Sequence, residues 1–524
     1  MTFIRRIKRG DSTYVYNVRT YREKGTGKVK QDTEYLGKEV EKDGETTIIP
    51  PKRRTKGLRS ILDYGEPMAL YKLAKEFGLP EVIDSCIAPH TRIDDIGLKT
   101  TILAINKVTA DASLRATGSW FSRTALRERV DLTSADLTPK CVRGILSLLS
   151  KETPDVTGLI EEGIARRIKK LYSDDLDTLV YDLTPMTYYG DCNDLARYGH
   201  AYRSTGEKQV NMVLAVTMGH RLPIHHKVLP GNIVSVSTIR TFLKELEVFG
   251  VKNLVLVLDR GFYSKRNIEE ILGAKHDVIG ALASNLNLTK RALTKSVGME
   301  NSRNRIRYPG AVTFAKEFKE DDIRAFVYHD SERRSRQLTS FYEGLTEVER
   351  KLDDLGEVAF PIKDEMLGEL HGVCGDYAGY IRVTPTFSED WSFTYRVKHK
   401  AVQRTTNRFG KTVLFTSTSL NAVDVLKLYR EKDVIDKTFR LMKDRGLGPL
   451  QANLEGSTRA RVFLAYLGYL MLCLLRMKLK EETSLEEALS RLGEVREVLY
   501  KDGSRELPEL TKQQKAVLKM LGMM

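Results

Sequence analysis

The sequence predicts an α/β protein built around a mixed sheet with helices on its faces. Three observations predict it. Three β-type runs follow one another, DTLVYDLT, VNMVLAVTM and LPIHHKVLPG. Helix-period and strand-period segments then alternate through VSTIRTFLKELEVFG, NLVLVLDRG, SKRNIEEILGAK and HDVIGALA. After a long, less regular stretch, the β-run TVLFTST leads into another long helix. A change from period 3.6 to period two, and then alternation, is the pattern of strands covered by helices.

Taken in order, three successive strands followed by helix-strand alternation is the sequence expected of a ribonuclease H-like fold. At 524 residues the chain is too long for one compact core, and several regions are expected. Residues 1–60 mix short β-runs (TYVYNVRTY, DTEYLGK, TTIIP) with polar turns and end in the basic run Lys52-Arg53-Arg54, read equally as a solvated linker or a DNA contact. Residues 61–173 recur at three- and four-residue apolar steps and read as a helical domain with a possible DNA-binding role. The ribonuclease H-like part takes residues 174–283 and 411–480, split by a β-rich insertion at 284–410. Residues 481–524 read as an amphipathic, charged helical tail.

Composition bounds the function. Lysine and arginine number 85 against 70 acidic residues, a formal charge of +15, which favours a polyanionic partner. The cysteines Cys86, Cys141, Cys192, Cys374 and Cys473 are scattered without a CxxC pair, which argues against a disulfide scaffold or a structural zinc site. The opening MTFIRRIKRG lacks a signal-peptide core. The run Val462 to Leu475 falls short of the ~20 residues of a membrane span and reads as a buried core helix. A cytoplasmic protein with no membrane partner is expected.

Two aspartates carry the first chemical signal. Asp182 follows Leu179-Val180-Tyr181, and Asp259 ends Leu254-Val255-Leu256-Val257-Leu258 before Arg260-Gly261. A carboxylate beside a buried strand is costly unless it is paired or binds a cation. One such residue is best explained by a neighbour such as Arg260. Two strand-end aspartates in one sheet point instead to a shared metal site. A third acid is expected from LYREKDVIDKTFRLMK. There Tyr429, Lys432, Asp436 and Lys443 fall within roughly 60° of arc at ~100° per residue, beside the stripe Leu428, Ile435, Phe439 and Met442. Asp433 is the fallback acid, and Glu431 points away. His225 and His226 sit next to each other on a strand, where side chains alternate between faces, so no shared metal is expected there.

On these residues the chain resembles the DDE transposases of the insertion-sequence family-four group. Their helix signature is Y-x2-R-x3-E-x6-K, and their acids lie on the first strand, after the fourth strand, and on a helix beyond a β-rich insertion. The resemblance covers roughly residues 175–480 through Asp182 in YDLT, Asp259 in LDRGFYS, LPIHHKVLPGN, and Tyr429, Lys432, Asp436 and Lys443; the segment YVYNVRTYR…VKQDTEYLGK adds to it. Lys432 replaces the signature arginine and Asp436 the signature glutamate. Lysine keeps the charge without the planar fork.

The resemblance implies cleavage at element ends and strand transfer. Asp182, Asp259 and Asp436 would hold two Mg²⁺ ions, with Mn²⁺ substituting. Tyr429, Lys432, Lys443, Arg260, Arg404, Arg408 and Trp391 would contact DNA, both element terminal inverted repeats and target, in a homodimer associated with a prokaryotic nucleoid. Basic clusters flank the insertion at Lys290, Arg291, Lys295, Arg303, Arg305 and Arg307, and at Arg396, Lys398, Lys400, Arg404, Arg408 and Lys411. For Trp391, core packing is the competing fate. A nuclease without strand transfer and an inactive, transposase-derived DNA-binding protein remain the alternative readings.

Overall fold

The structure, a computed structural model, describes residues 2–10, 12–22, 29–42, 45–49, 57–172, 177–190, 193–199, 206–233, 239–248, 254–309, 312–320, 323–448, 450, 452–480 and 482–524. The basic run Lys52-Arg53-Arg54, Cys192, and the side chains of Ile435, Phe439 and Met442 lie outside the described residues. The chain divides into two compact units. One comprises Met1–Leu62 with Glu497–Pro508, the other Asp63–Arg496 with Glu509–Met524.

In the first unit, β1 (Thr2–Arg9), β2 (Ser12–Arg22), β3 (Val29–Lys42) and β4 (Glu45–Ile49) form an antiparallel sheet in that order. Its strands are short-range hairpin partners, which is why the β-runs were legible one by one. The strand β5 (Leu58–Asp63) follows them.

The second unit begins with helices α1 (Gly65–Phe77), α2 (Leu79–Ile87), α3 (Ile96–Thr109), α4 (Thr117–Arg123), α5 (Pro139–Leu149) and α6 (Val156–Tyr172). Gly78, at φ 80°, closes α1 in the left-handed conformation, and Pro80 opens α2 in its first turn. The buried faces carry the apolar stripes read from the sequence, for example Ile160, Ile164 and Ile168 on α6.

The strands follow: β6 (Thr178–Tyr188), β7 (Arg197–Tyr198), β8 (Lys208–Thr217) and β9 (Pro223–Pro230). Next come α7 (Ile239–Val248), β10 (Val255–Leu258), α8 (Lys265–Gly273), β11 (Asp277–Ala281) and α9 (Asn287–Lys295). In the sheet, β10 lies between β6 and β11, parallel to both, while β6 pairs β8 and β8 pairs β9 antiparallel. Antiparallel neighbours arise from the short connections and parallel ones from the helical crossovers α7 and α8.

The region from 284 to 410 was expected as one β-rich insertion, and it divides instead. After β12 (Arg305–Ile306), strands β13 (Thr313–Glu320) and β14 (Ile323–Asp330) join the main sheet. The remainder, α10 (Ser331–Gly356), α11 (Lys363–Cys374), β15 (Ile381–Phe387), β16 (Trp391–Val397) and α12 (His399–Thr406), encloses its own apolar core around Phe341, Leu345, Leu352, Met366 and Leu370. Strand β17 (Lys411–Thr416) returns to the sheet between β11 and β14. The sequence pattern could not place β14, and β13 hairpinned to it, in the main sheet because the partner of β14, β17, lies some eighty residues further along the chain.

Helices α13 (Ala422–Met442) and α14 (Glu455–Leu479) follow. By length and composition α14 suffices to cross a membrane, longer than the apolar run within it suggested, and 83% of its apolar window is buried. It packs closely on α3: a Cβ at Gly468 would stand 2.2 Å from Val108 Cγ1. The tail was expected to be helical. It holds α15 (Leu485–Gly493) and α16 (Lys512–Met520), but between them β18 (Arg496–Tyr500) and β19 (Arg505–Glu506) build a three-stranded sheet with β5. Alternating burial at Glu497 and Leu499 marks the strand.

One buried ionic cluster ties α6 to the sheet. Glu161 on α6 accepts from His225 Nδ1 at 2.7 Å and from the His226 backbone N–H at 2.8 Å, and its second contact with His226 is through Nδ1. His225 Nε2 meets Glu245 Oε2 at 3.0 Å. Ionised carboxylates only accept, so both His225 ring nitrogens carry protons and the ring is an imidazolium. The opposite-face rule had set the two histidines apart. They converge because β9 is an edge strand, and a two-pronged carboxylate lies along its unpaired edge.

Burial opposes charge on Glu161, yet the facing imidazoles lower its carboxyl to about 2. Burial likewise opposes charge on His225, and Glu161 and Glu245 raise it to about 9. The His225 contribution is complete below its ordinary value of 6.5 and is lost as pH rises through about 9. The Glu161 contribution is complete above 4.5 and is lost as pH falls through about 2. Glu161→Gln is therefore predicted to cost about 3–5 kcal/mol near pH 6, as breaking one side of a buried pair does. It should also flatten the fall in stability between pH 6.5 and 9.5, measured by thermal unfolding across that range. A variant that keeps the wild-type slope would remove this cluster as its source.

Candidate active site

The register of the sheet brings the two strand aspartates together. In the parallel β6–β10 pair, Leu258 lies beside Tyr181. The next residues are Asp259, just past the end of β10, and Asp182, within β6, which runs on to Tyr188 beside β8, so the shorter strand delivers its acid alongside one in mid-strand. Tyr181 is fully buried beneath them, against Phe242 at 4.2 Å and Phe262 at 5.1 Å between ring centroids. Asp259 leads a tight turn, Arg260–Phe262, which leaves Arg260 exposed beside it.

The third element is α13. Its face presents Tyr429, Lys432 and Asp436, and Lys443 opens the irregular turn that ends the helix. Lys432 Nζ donates to Asp436 Oδ2 at 2.9 Å and Oδ1 at 3.1 Å, and stands 3.7 Å from Asp259 Oδ2. The Tyr429 hydroxyl donates to Asp259 Oδ1 at 3.4 Å. Lys432 is only 4% exposed, whereas the Asp259 and Asp436 side chains are 44% and 37% exposed. The cation therefore sits deeper than two of the acids it serves.

Burial, added to by the like charges of Asp436 and Asp259, pushes the Asp182 carboxyl up to about 7, against the pull of Lys432. Burial and Asp259 push Tyr429 up to about 12. Burial draws the Lys443 ammonium down, with Asp182 opposing. On Lys432, burial is outweighed by Asp182, Asp259 and Asp436, which hold it charged. Among the described residues, no three His, Cys, Asp or Glu side chains are already spaced to hold a metal ion. The donor chemistry nonetheless suits a hard cation, since all three acids offer oxygen. The Lys432 ammonium stands in for positive charge among them.

The structure thus gathers Asp182, Asp259, Asp436, Tyr429, Lys432 and Lys443, with Arg260 at the rim. The fallback Asp433 is exposed, and Lys432 bonds Asp436 instead. Arg404 and Arg408 are exposed on and just beyond α12, and among the described residues no hydrogen bond or ion pair joins them to the acids. Trp391 takes the packing role: Lys363 lies 4.9 Å over its ring, Phe387 is 5.0 Å away, and its backbone pairs with Phe360. Of the twelve cations flanking the insertion, all but Lys411 are exposed.

Sequence reasoning missed Arg430. It pairs with Asp330 at 3.1 Å and covers the Tyr308 ring at 5.1 Å, while Asp330 caps α10 through the Arg333 N–H at 2.9 Å. This joins α13 to the start of the inserted helices. Its only sequence signal was an arginine directly after Tyr429.

Acids from two neighbouring parallel strands, closed by a helix bearing cations, form a candidate active site on an α/β sheet. The family model described as Transposase DDE domain matches residues 174–474, and the chain belongs to that family. Among curated proteins, none matches this chain. Among solved structures, a similar chain is the piggyBac transposase in its synaptic complex with hairpin DNA. It is 12% identical at a TM-score of 0.40, over 82% of this chain and 79% of that one.

The floor beneath the acids gives a test of how they are placed. Tyr181→Ala empties a fully buried aromatic site and is predicted to cost about 3–5 kcal/mol of stability, measured by denaturant unfolding. A loss under about 1 kcal/mol would mean that the ring does not support the sheet end.

Proposed function

We propose that the chain is a DNA transposase that cleaves phosphodiester bonds at the ends of an insertion-sequence element and joins those ends to target DNA. The observation that carries this reading is the meeting of Asp182, Asp259 and Asp436, from two parallel strands and one helix, around a single buried cation. Family membership supports the transposase class. The finer placement, in the insertion-sequence family-four group, rests on Tyr429, Lys432, Asp436 and Lys443. A ribonuclease H-like arrangement is supported by the neighbouring strands β11, β10, β6, β8 and β9, parallel in the middle and antiparallel at one side.

In this reading the three aspartates hold two divalent ions, Mg²⁺ or in its place Mn²⁺, which when bound activate the attacking oxygen and stabilise the leaving one. The protein's own groups position the DNA. Lys432 and Lys443 face terminal phosphates as point charges, and the Tyr429 hydroxyl, held protonated by burial, donates rather than accepts. Arg260 contacts the backbone from the rim. Arg404, Arg408 and the other exposed cations flanking the insertion attract the duplex and the target. Trp391 serves by fixing the β15–β16 hairpin that carries Arg396. Two such chains, each holding one inverted repeat in a nucleoid-associated complex, complete the proposal.

The test is cleavage and joining of labelled element ends with Mg²⁺ or Mn²⁺. Asp182→Asn and Asp259→Asn should each lower cleavage by roughly a thousandfold or more, a loss on the scale of a removed electrostatic group in a catalytic site, and leave DNA binding near wild type. Full activity in either variant would sink the assignment. Asp436→Glu should keep or raise activity and Asp436→Ala should abolish it. Cleaved ends without joined product would favour a nuclease over a transposase.

A further inference from the structure

We infer that Lys432 is an internal counter-ion of the DNA-free chain, occupying the acidic centre until a DNA phosphate draws its ammonium away and divalent cations take its place. The inference rests on the reading of Asp182, Asp259 and Asp436 as the ion-holding acids. It goes further by assigning the order in which charge enters the site.

Three observations point the same way. Lys432 Nζ lies within hydrogen-bond distance of both Asp436 oxygens and 3.7 Å from Asp259, so the inner faces of two acids are already taken. It is the most deeply buried of these three groups, while the acids keep their outer faces toward solvent. No three acidic or histidine side chains among the described residues stand at metal-ligand spacing. A buried cation holding the acids in its own geometry accounts for all three.

Charge balance favours the exchange. Two divalent ions and one ammonium together exceed the charge of three carboxylates, so the three cations cannot share the centre in the absence of anions. A phosphodiester supplies the missing negative charge and offers the ammonium an equivalent partner. Lysine suits this step because its charge is a point on a flexible four-carbon stem. An arginine's planar fork matches a carboxylate with two parallel N–H donors and would release it less readily. Metal loading and DNA binding are thereby coupled: each favours the other.

The experiment titrates Mn²⁺ alone into the full chain by calorimetry, first without DNA. Lys432→Met and Lys432→Gln should bind Mn²⁺ at least about tenfold more tightly than wild type, the effect of removing one nearby charge. Lys432→Arg should bind no more tightly than wild type. Adding duplex DNA at low salt should tighten Mn²⁺ binding by wild type and change that of Lys432→Gln little. Two neutral variants guard against one failing to fold, and circular dichroism checks each.

Equal Mn²⁺ affinity in wild type and both neutral variants would overturn the counter-ion role. So would duplex DNA that leaves the wild-type affinity unchanged. Asp182→Asn separates this failure from a failure of the proposed function. If Asp182→Asn loses Mn²⁺ binding while the Lys432 variants gain none, only the counter-ion is wrong. If Asp182→Asn binds Mn²⁺ as wild type does, the acids are not the ion site and both readings fall.

Discussion

The acidic centre depends on one electrostatic constraint: carboxylates gathered on the end of a sheet must be met by positive charge. Asp182 and Asp259 are delivered there by backbone geometry, since parallel register leaves neighbouring strands no freedom over where the next residue emerges. Left uncompensated, Asp182 would be neutralised or the strands would part. Lys432 opposes both, and its contacts tie α13 to the acids. The helix face read from the sequence is therefore a consequence of charge pairing as much as of amphipathic packing.

Much of this was legible in the sequence. The strand aspartates stood out because apolar runs ended in a carboxylate, a local and chemically costly pattern. The α13 face was legible because helical periodicity converts spacing into direction. Other features were not local. β13 and β14 read as part of an insertion because β14 joins the main sheet through β17, which lies far along the chain, and β13 follows it as a hairpin partner. The tail read as helical because β18 finds its partner in β5, at the other end of the sequence. Glu161 sat unnoticed in a charged helix, since nothing in the local pattern announces a buried carboxylate whose partners are 64 and 65 residues away.

Asp436 and Lys432 gain meaning as a pair. Asp436 is one methylene shorter than glutamate, and Lys432 lacks the arginine fork, yet at one helical turn's separation they bond each other through both carboxylate oxygens. A shorter acid keeps the ammonium close to the helix, where it can also reach Asp259. Arg430, beside Tyr429, is engaged elsewhere and secures α13 to Asp330 at the start of α10. Arg430 and Lys432, two residues apart on one helix, thus serve different acids.

The Glu161 cluster bears on where a catalytic fragment of this chain can be cut. The family match begins at residue 174, but the carboxylate that neutralises His225 and orients His226 comes from α6, upstream of that boundary. A fragment excised at the boundary would expose the edge of β9, leave His225 with Glu245 but without Glu161, and bare a row of backbone groups, a template for association with other chains. The minimal autonomous unit therefore begins before α6.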